Sequence, residues 1–203
     1  MAGMKYDSNK HHRRSIRLNG YDYNQAGMYF VTFVTQNRMC LFGEIADGET
    51  RLNEAGSVIE RWWFEMNNKF RTVKTDEFVI MPNHFHGIVV IVGADRCVGP
   101  VGKGAHIGAP LQETQPVRPV ALSAIVQWFK TMTTNEYLRG VKTSGWTPFP
   151  GRLWQRNYYE HVIRDEESLS HIRQYILNNP VRWEFDRENP AAKTSDLENA
   201  CSG

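Results

Sequence analysis

Cysteine is scarce. The 203 residues contain three, Cys40, Cys97 and Cys201, an odd number without metal-type spacing. That excludes a disulfide scaffold and a zinc ribbon, and it suits a reducing cytoplasm. No apolar run approaches the roughly 20 residues that a membrane span needs. The first twenty residues are polar and basic, without the apolar segment of a secretory signal. No internal repeat is visible. Strong net charge is missing too: 24 Lys and Arg against 22 Asp and Glu leave +2. What the chain does have is 41% hydrophobic residues and 12% aromatic ones, including 6 Trp. That suffices for one packed domain and excludes wholesale disorder.

The small net charge conceals an uneven distribution. Residues 1–38 hold six Lys/Arg against two Asp, giving +4, and residues 118–164 hold seven against Glu136 and Glu160, giving +5. Residues 184–203 hold two bases against five acids, giving −3. Such asymmetry points toward nucleic acid, although scattered surface Lys and Arg commonly do no more than solvate a protein.

The pattern of apolar residues predicts an order of elements. Tyr29 to Thr35 is β-branched and aromatic, a strand, and a second short strand at Cys40–Ile45 precedes a turn at Asp47-Gly48. From Asn53, a plausible N-cap, Ala55, Val58, Ile59, Trp62, Trp63 and Met66 recur at helical spacing. Phe78–Met81 and Phe85–Val92 read as strands joined through Pro82-Asn83. Leu122, Ile125, Val126, Phe129 and Met132 mark a second helix ending near Gly140. Leu153–Ile163 reads as a strand, and a last helix starts at an Asp165 N-cap and stops before Pro180. This order predicts an α+β fold: a ferredoxin-like (RRM-like) antiparallel sheet with helices on it, plus a C-terminal tyrosine-bearing helix. The expected organisation is a basic arm over 1–20, one domain over 21–185 and an acidic tail over 186–203. Within the domain, 93–119 is rich in Gly and Pro and reads as a flexible insertion loop.

The sharpest local feature is His84-Phe85-His86. Residues i and i+2 of a strand share a face, so the two imidazoles project together while Phe85 faces the opposite layer. Paired imidazoles can bind a divalent metal; equally, two histidines can share a strand face by chance. On the last helix Leu169, Ile172 and Ile176 form a core stripe, and Tyr175 and Asn179, four apart, share another face. They are a flank residue and a helix-ending residue on one reading. On the other, a phenol and an amide oxygen lean over the histidines, and two imidazoles plus that oxygen form a neutral, open site suited to Mg²⁺ or Mn²⁺ holding a phosphate.

His84-Phe85-His86 resembles the HUH motif, and Tyr175-Ile-Leu-Asn-Asn179-Pro180 resembles the tyrosine helix of single-tyrosine HUH transposases. The chain is most similar to REP-associated tyrosine transposases. Arg13-Arg-Ser-Ile-Arg-Leu, Tyr29-Phe-Val-Thr, Thr35-Gln-Asn-Arg38, Trp154-Gln-Arg-Asn-Tyr-Tyr-Glu-His161 and Ile176 to Arg182 contribute, and the resemblance spans roughly 13–183. It implies an endonuclease that cuts and rejoins single-stranded DNA bearing palindromic hairpins. Tyr175 would be the nucleophile of a 5′-phosphotyrosine intermediate, and His84, His86 and Asn179 the ligands of Mg²⁺ or Mn²⁺. Arg13, Arg14, Arg17, Lys130, Arg152 and Arg156 are then candidates for phosphates, and Trp154 and Tyr158 for stacking on bases. The resemblance leaves monomer and dimer both open. An RRM-like binding module without catalysis is the alternative, but it leaves the histidine pair without a purpose.

Overall fold

A computed structural model describes residues 25–93 and 120–193. The arm with Arg13, Arg14 and Arg17, most of the predicted loop and the end of the acidic tail lie outside the described residues. The first strand, β1 (Gly27–Val34), is followed by a 3-10 turn at Gln36–Arg38 and a hairpin of β2 (Gly43–Ala46) and β3 (Glu49–Leu52). Helix α1 (Glu54–Lys69), strands β4 (Val73–Ile80) and β5 (His84–Ile91) and helix α2 (Leu122–Thr143) come next. Strand β6 (Tyr159–Ile163), helix α3 (Glu166–Asn178) and a 3-10 helix at Pro180–Phe185 complete the described chain.

Four strands pair antiparallel in the order β4-β5-β1-β6. With α1 and α2 as crossovers, this is the ferredoxin-like topology expected from the sequence. Alternation along the strands divides the core. Tyr29, Val31, Phe33, Phe85 and Val89 face α1 and α2, whereas Phe30, Ile88 and Ile163 face Leu169 and Ile176 of α3. The expected helix stripes and caps are present: Asn53 accepts from the Gly56 amide and Asp165 from the Ser168 amide. Among the described residues no helix is long and apolar enough to cross a membrane.

Several boundaries differ from the sequence reading, and β4 begins at Val73 rather than at the expected Phe78. The strand expected from Cys40 begins at Gly43, because the Leu41 and Phe42 amides both donate to the Pro82 carbonyl instead of a ladder. The second helix runs past Gly140 to Thr143. Gly140 is there for close approach: a Cβ would lie 2.3 Å from the Trp146 ring. The strand expected over Leu153–Ile163 is confined to Tyr159–Ile163. Consecutive Leu153 and Trp154 enter the same core cluster, which strand alternation forbids, and only a single bridge ties Thr35 to Trp154.

Candidate active site

The tight β4–β5 connection through Pro82-Asn83 starts β5 directly at His84. His86 lies across from Thr32 and His84 from Val34 on β1, with Val79 of β4 on the other side of His86. Both imidazoles lie on the α3 face, as the spacing predicts, and both are buried. Their ring centroids are 4.6 Å apart.

Each ring is oriented through its Nδ1. The Asn83 amide nitrogen donates to the Arg38 carbonyl at 3.1 Å and to the Glu188 carbonyl at 2.6 Å. Its oxygen therefore faces the His84 Nδ1, 2.8 Å away, and must accept from it. This assignment puts the proton on Nδ1 and aims the Nε2 lone pair of His84 into the site. His86 Nδ1 lies 2.8 Å from the Thr32 hydroxyl, so its Nε2 points the same way.

The third side of the site comes from α3. A bidentate pair, Arg173 to Asp76 at 2.8 and 2.6 Å, ties this helix to β4 where the β4–β5 ladder shifts register. Two residues on, the Tyr175 hydroxyl lies 3.4 Å from His86 Nε2. Its ring meets Phe30 edge-on at 5.9 Å. Asn179, one turn further, is buried at the helix end. The 3-10 helix then brings Asp186 back until a carboxylate oxygen is 3.7 Å from His84 Nε2. Residues that the sequence assigned to an acidic tail thus fold against the site.

The buried side-chain atoms that lack a hydrogen-bond partner include His84 Nε2 and the Asn179 amide oxygen. Such orphans are costly unless something fills the space between them. Burial lowers the pKa of both histidines; nearby Asp186 and Glu188 partly oppose this at His84, while His84 reinforces it at His86. Neutral imidazoles with aimed lone pairs are ligands in waiting. Ligand atoms of His84, His86 and Asp186 lie within 4.8 Å of one another. With the Asn179 oxygen, the donor set fits a divalent ion. Asp186 adds a carboxylate to the neutral site expected from sequence. Burial and the Asp186 charge both raise the Tyr175 pKa, so the phenol is protonated at neutral pH.

The remaining predicted residues surround a second region. Lys130 donates to the Gln155 and Asn157 carbonyls at 3.0 and 3.1 Å and sits over the Phe33 and Tyr158 rings. It braces the 151–158 loop. Arg152 and Arg156 are exposed on that loop and line a cleft of about 560 Å³ with Lys130. Trp154 is buried, its indole donating to Thr133, and presents no face to a base. Tyr158 packs on the core, while Tyr159, opposite Thr32, stands 46% exposed beside the site. Burial pushes the Lys130 ammonium from 10.5 down to about 8. Between those values the unfolded chain keeps a proton that the native chain has released, so stability is expected to rise with pH. Urea unfolding across that window should show the rise, and Lys130→Met should flatten it.

A ferredoxin-like sheet with paired histidines on its central strand, beneath a helix-borne tyrosine, matches the architecture implied by the sequence resemblance. No protein-family model matches the chain. A Haemophilus influenzae protein described as uncharacterized is 39% identical over 183 residues, which cover 90% of this chain and 96% of that protein. A second protein of that organism, described as a "Putative REP-associated tyrosine transposase", is 24% identical over 161 residues, 79% of this chain and 74% of its own. Over most of its length the chain is therefore similar in sequence to a REP-associated tyrosine transposase. A solved structure described as a REP-associated tyrosine transposase bound to a REP hairpin aligns with a TM-score of 0.49 at 17% identity, covering 82% of this chain and 73% of that one.

Proposed function

We propose that the protein is a metal-dependent endonuclease and transposase that cuts and rejoins hairpin-flanked single-stranded DNA through Tyr175. The observation that carries this reading is the Tyr175 hydroxyl 3.4 Å from His86 Nε2, beside ligand atoms of His84, His86 and Asp186 that lie within 4.8 Å of one another, at a groove of about 990 Å³ that His86, Tyr175, Asn179 and Asp186 line. The sequence relative named a putative REP-associated tyrosine transposase supports DNA as the substrate.

In this mechanism the Tyr175 oxygen attacks the scissile phosphorus as its proton passes to water at the half-exposed end of the groove. The bond from phosphorus to the 3′ oxygen breaks, and that oxygen takes up a proton and departs as a 3′-hydroxyl. The DNA 5′ end remains on Tyr175 as a phosphodiester, and attack by another 3′-hydroxyl reverses the step without ATP. His84, His86 and Asn179, with Asp186 beside them, would hold a divalent ion, whose positive charge would polarise the phosphate and favour the ionised phenol. Asn83 holds the His84 ring by its Nδ1, and Thr32 holds His86. Arg173 holds the helix at the reach Tyr175 needs.

Incubation with hairpin-bearing single-stranded DNA and Mn²⁺ should give a covalent adduct that survives denaturing electrophoresis. Tyr175→Phe should give none, and an undiminished adduct in that variant refutes the assignment. Asn83→Ala should weaken Mn²⁺ binding by about 10- to 100-fold in calorimetric titration, since the His84 ring loses its orientation.

A further inference from the structure

Two clefts meet at Tyr175. One is the groove of the histidine pair; the other, of about 520 Å³, opens between β6 and α3. They share Phe30, Tyr159 and Tyr175, so the tyrosine ring stands on the divide. A phosphodiester seated against Tyr175 in the first cleft has a neighbouring nucleotide at the mouth of the second.

The walls of the second cleft are aromatic and edge-polar. Tyr159 and His161 alternate onto one face of β6. His171 and Tyr175, four apart on α3, rise on the other side. Tyr159 and Tyr175 are 46% and 44% exposed, an unusual amount of ring surface to leave in water inside a cleft. The charge differs from that of the main groove. Arg182 and Arg187 line the groove, but no Lys or Arg lines the second cleft, which carries Asp165 and Glu167. Asp165 is engaged in capping α3. A phosphate is disfavoured beside Glu167, whereas a flat uncharged ring with N–H and nitrogen edges is not.

We infer that the β6–α3 cleft is a nucleobase slot: it takes an unpaired base next to the scissile phosphate, between the Tyr159 and Tyr175 rings, with His161 and His171 reading its edge. This rests on the proposed role of Tyr175. The slot sets which base flanks the cut, apart from whatever recognises the hairpin.

The full chain is incubated with Mn²⁺ and a DNA hairpin carrying a short randomised single-stranded tail, and the covalent adducts are sequenced. The wild-type protein should show a base preference at a position flanking the cut. His161→Ala/His171→Ala should reduce that preference by about tenfold and leave preferences at other positions in place. His171→Gln alone, at an exposed helix position, should alter it in the same direction and serves if the double variant folds poorly. Adducts whose flanking preference is absent, or identical in wild type and variants, overturn the slot but not the nucleophile. Failure of the wild-type chain to form any adduct overturns both.

Discussion

His84→Ala is expected to lower strand cleavage by about 10²- to 10³-fold, the scale seen when one preorganised charge-stabilising group is lost. Hairpin binding, carried by contacts elsewhere, should change only by about threefold or less. The separation follows from where His84 sits. It is fully buried at the start of β5, its Nδ1 is committed to Asn83, and only Nε2 reaches the site. His86→Ala should behave alike, because its Nε2 is the atom beside the Tyr175 hydroxyl. Cleavage assays and fluorescence anisotropy on one hairpin substrate measure the two effects. Loss of binding in proportion to cleavage would show that the histidines hold the DNA or the fold rather than the reacting phosphate.

Phe85→Ala, between those two positions, is expected to fail in the opposite way. Phe85 faces the other layer of the sheet, where its ring lies 4.7 Å from Trp63, 5.7 Å from Phe33 and 5.6 Å from Phe129. Emptying that position costs about 3–5 kcal/mol, a fall in Tm of about 6–20 °C for a chain of this size. The folded fraction should still bind Mn²⁺. Thermal unfolding with and without Mn²⁺ distinguishes the outcomes, and a stable Phe85→Ala variant that loses the metal would contradict the two-faced reading of the strand.

Much of this site is local, and the local part is legible in sequence. Period two places His84 and His86 together, and a spacing of four places Tyr175 above Asn179. Asp165 and Pro180 mark where that helix begins and ends. Asp186 is different. It reaches His84 only because the six residues Pro180–Phe185 form a 3-10 helix, and nothing periodic in them foretells its direction. Asn83 is next to the motif, yet its role depends on carbonyls of Arg38 and Glu188, far apart along the chain. The Arg173–Asp76 pair is likewise a product of docking. Trp154 departs from its expected base-stacking role for a local reason. Reading a single strand from Leu153 ignores that two successive large residues, Leu153 and Trp154, both belong to the core. Once the strand begins at Tyr159, that residue has the site face and Trp154 has none of it.

The most direct measurement is to digest the covalent protein–DNA adduct and locate the modified residue by tandem mass spectrometry. The nucleotide phosphate is expected on Tyr175, whose hydroxyl lies 3.4 Å from His86. A phosphate on Tyr158 or Tyr159 instead, with Tyr175 unmodified, would contradict the assignment of the nucleophile.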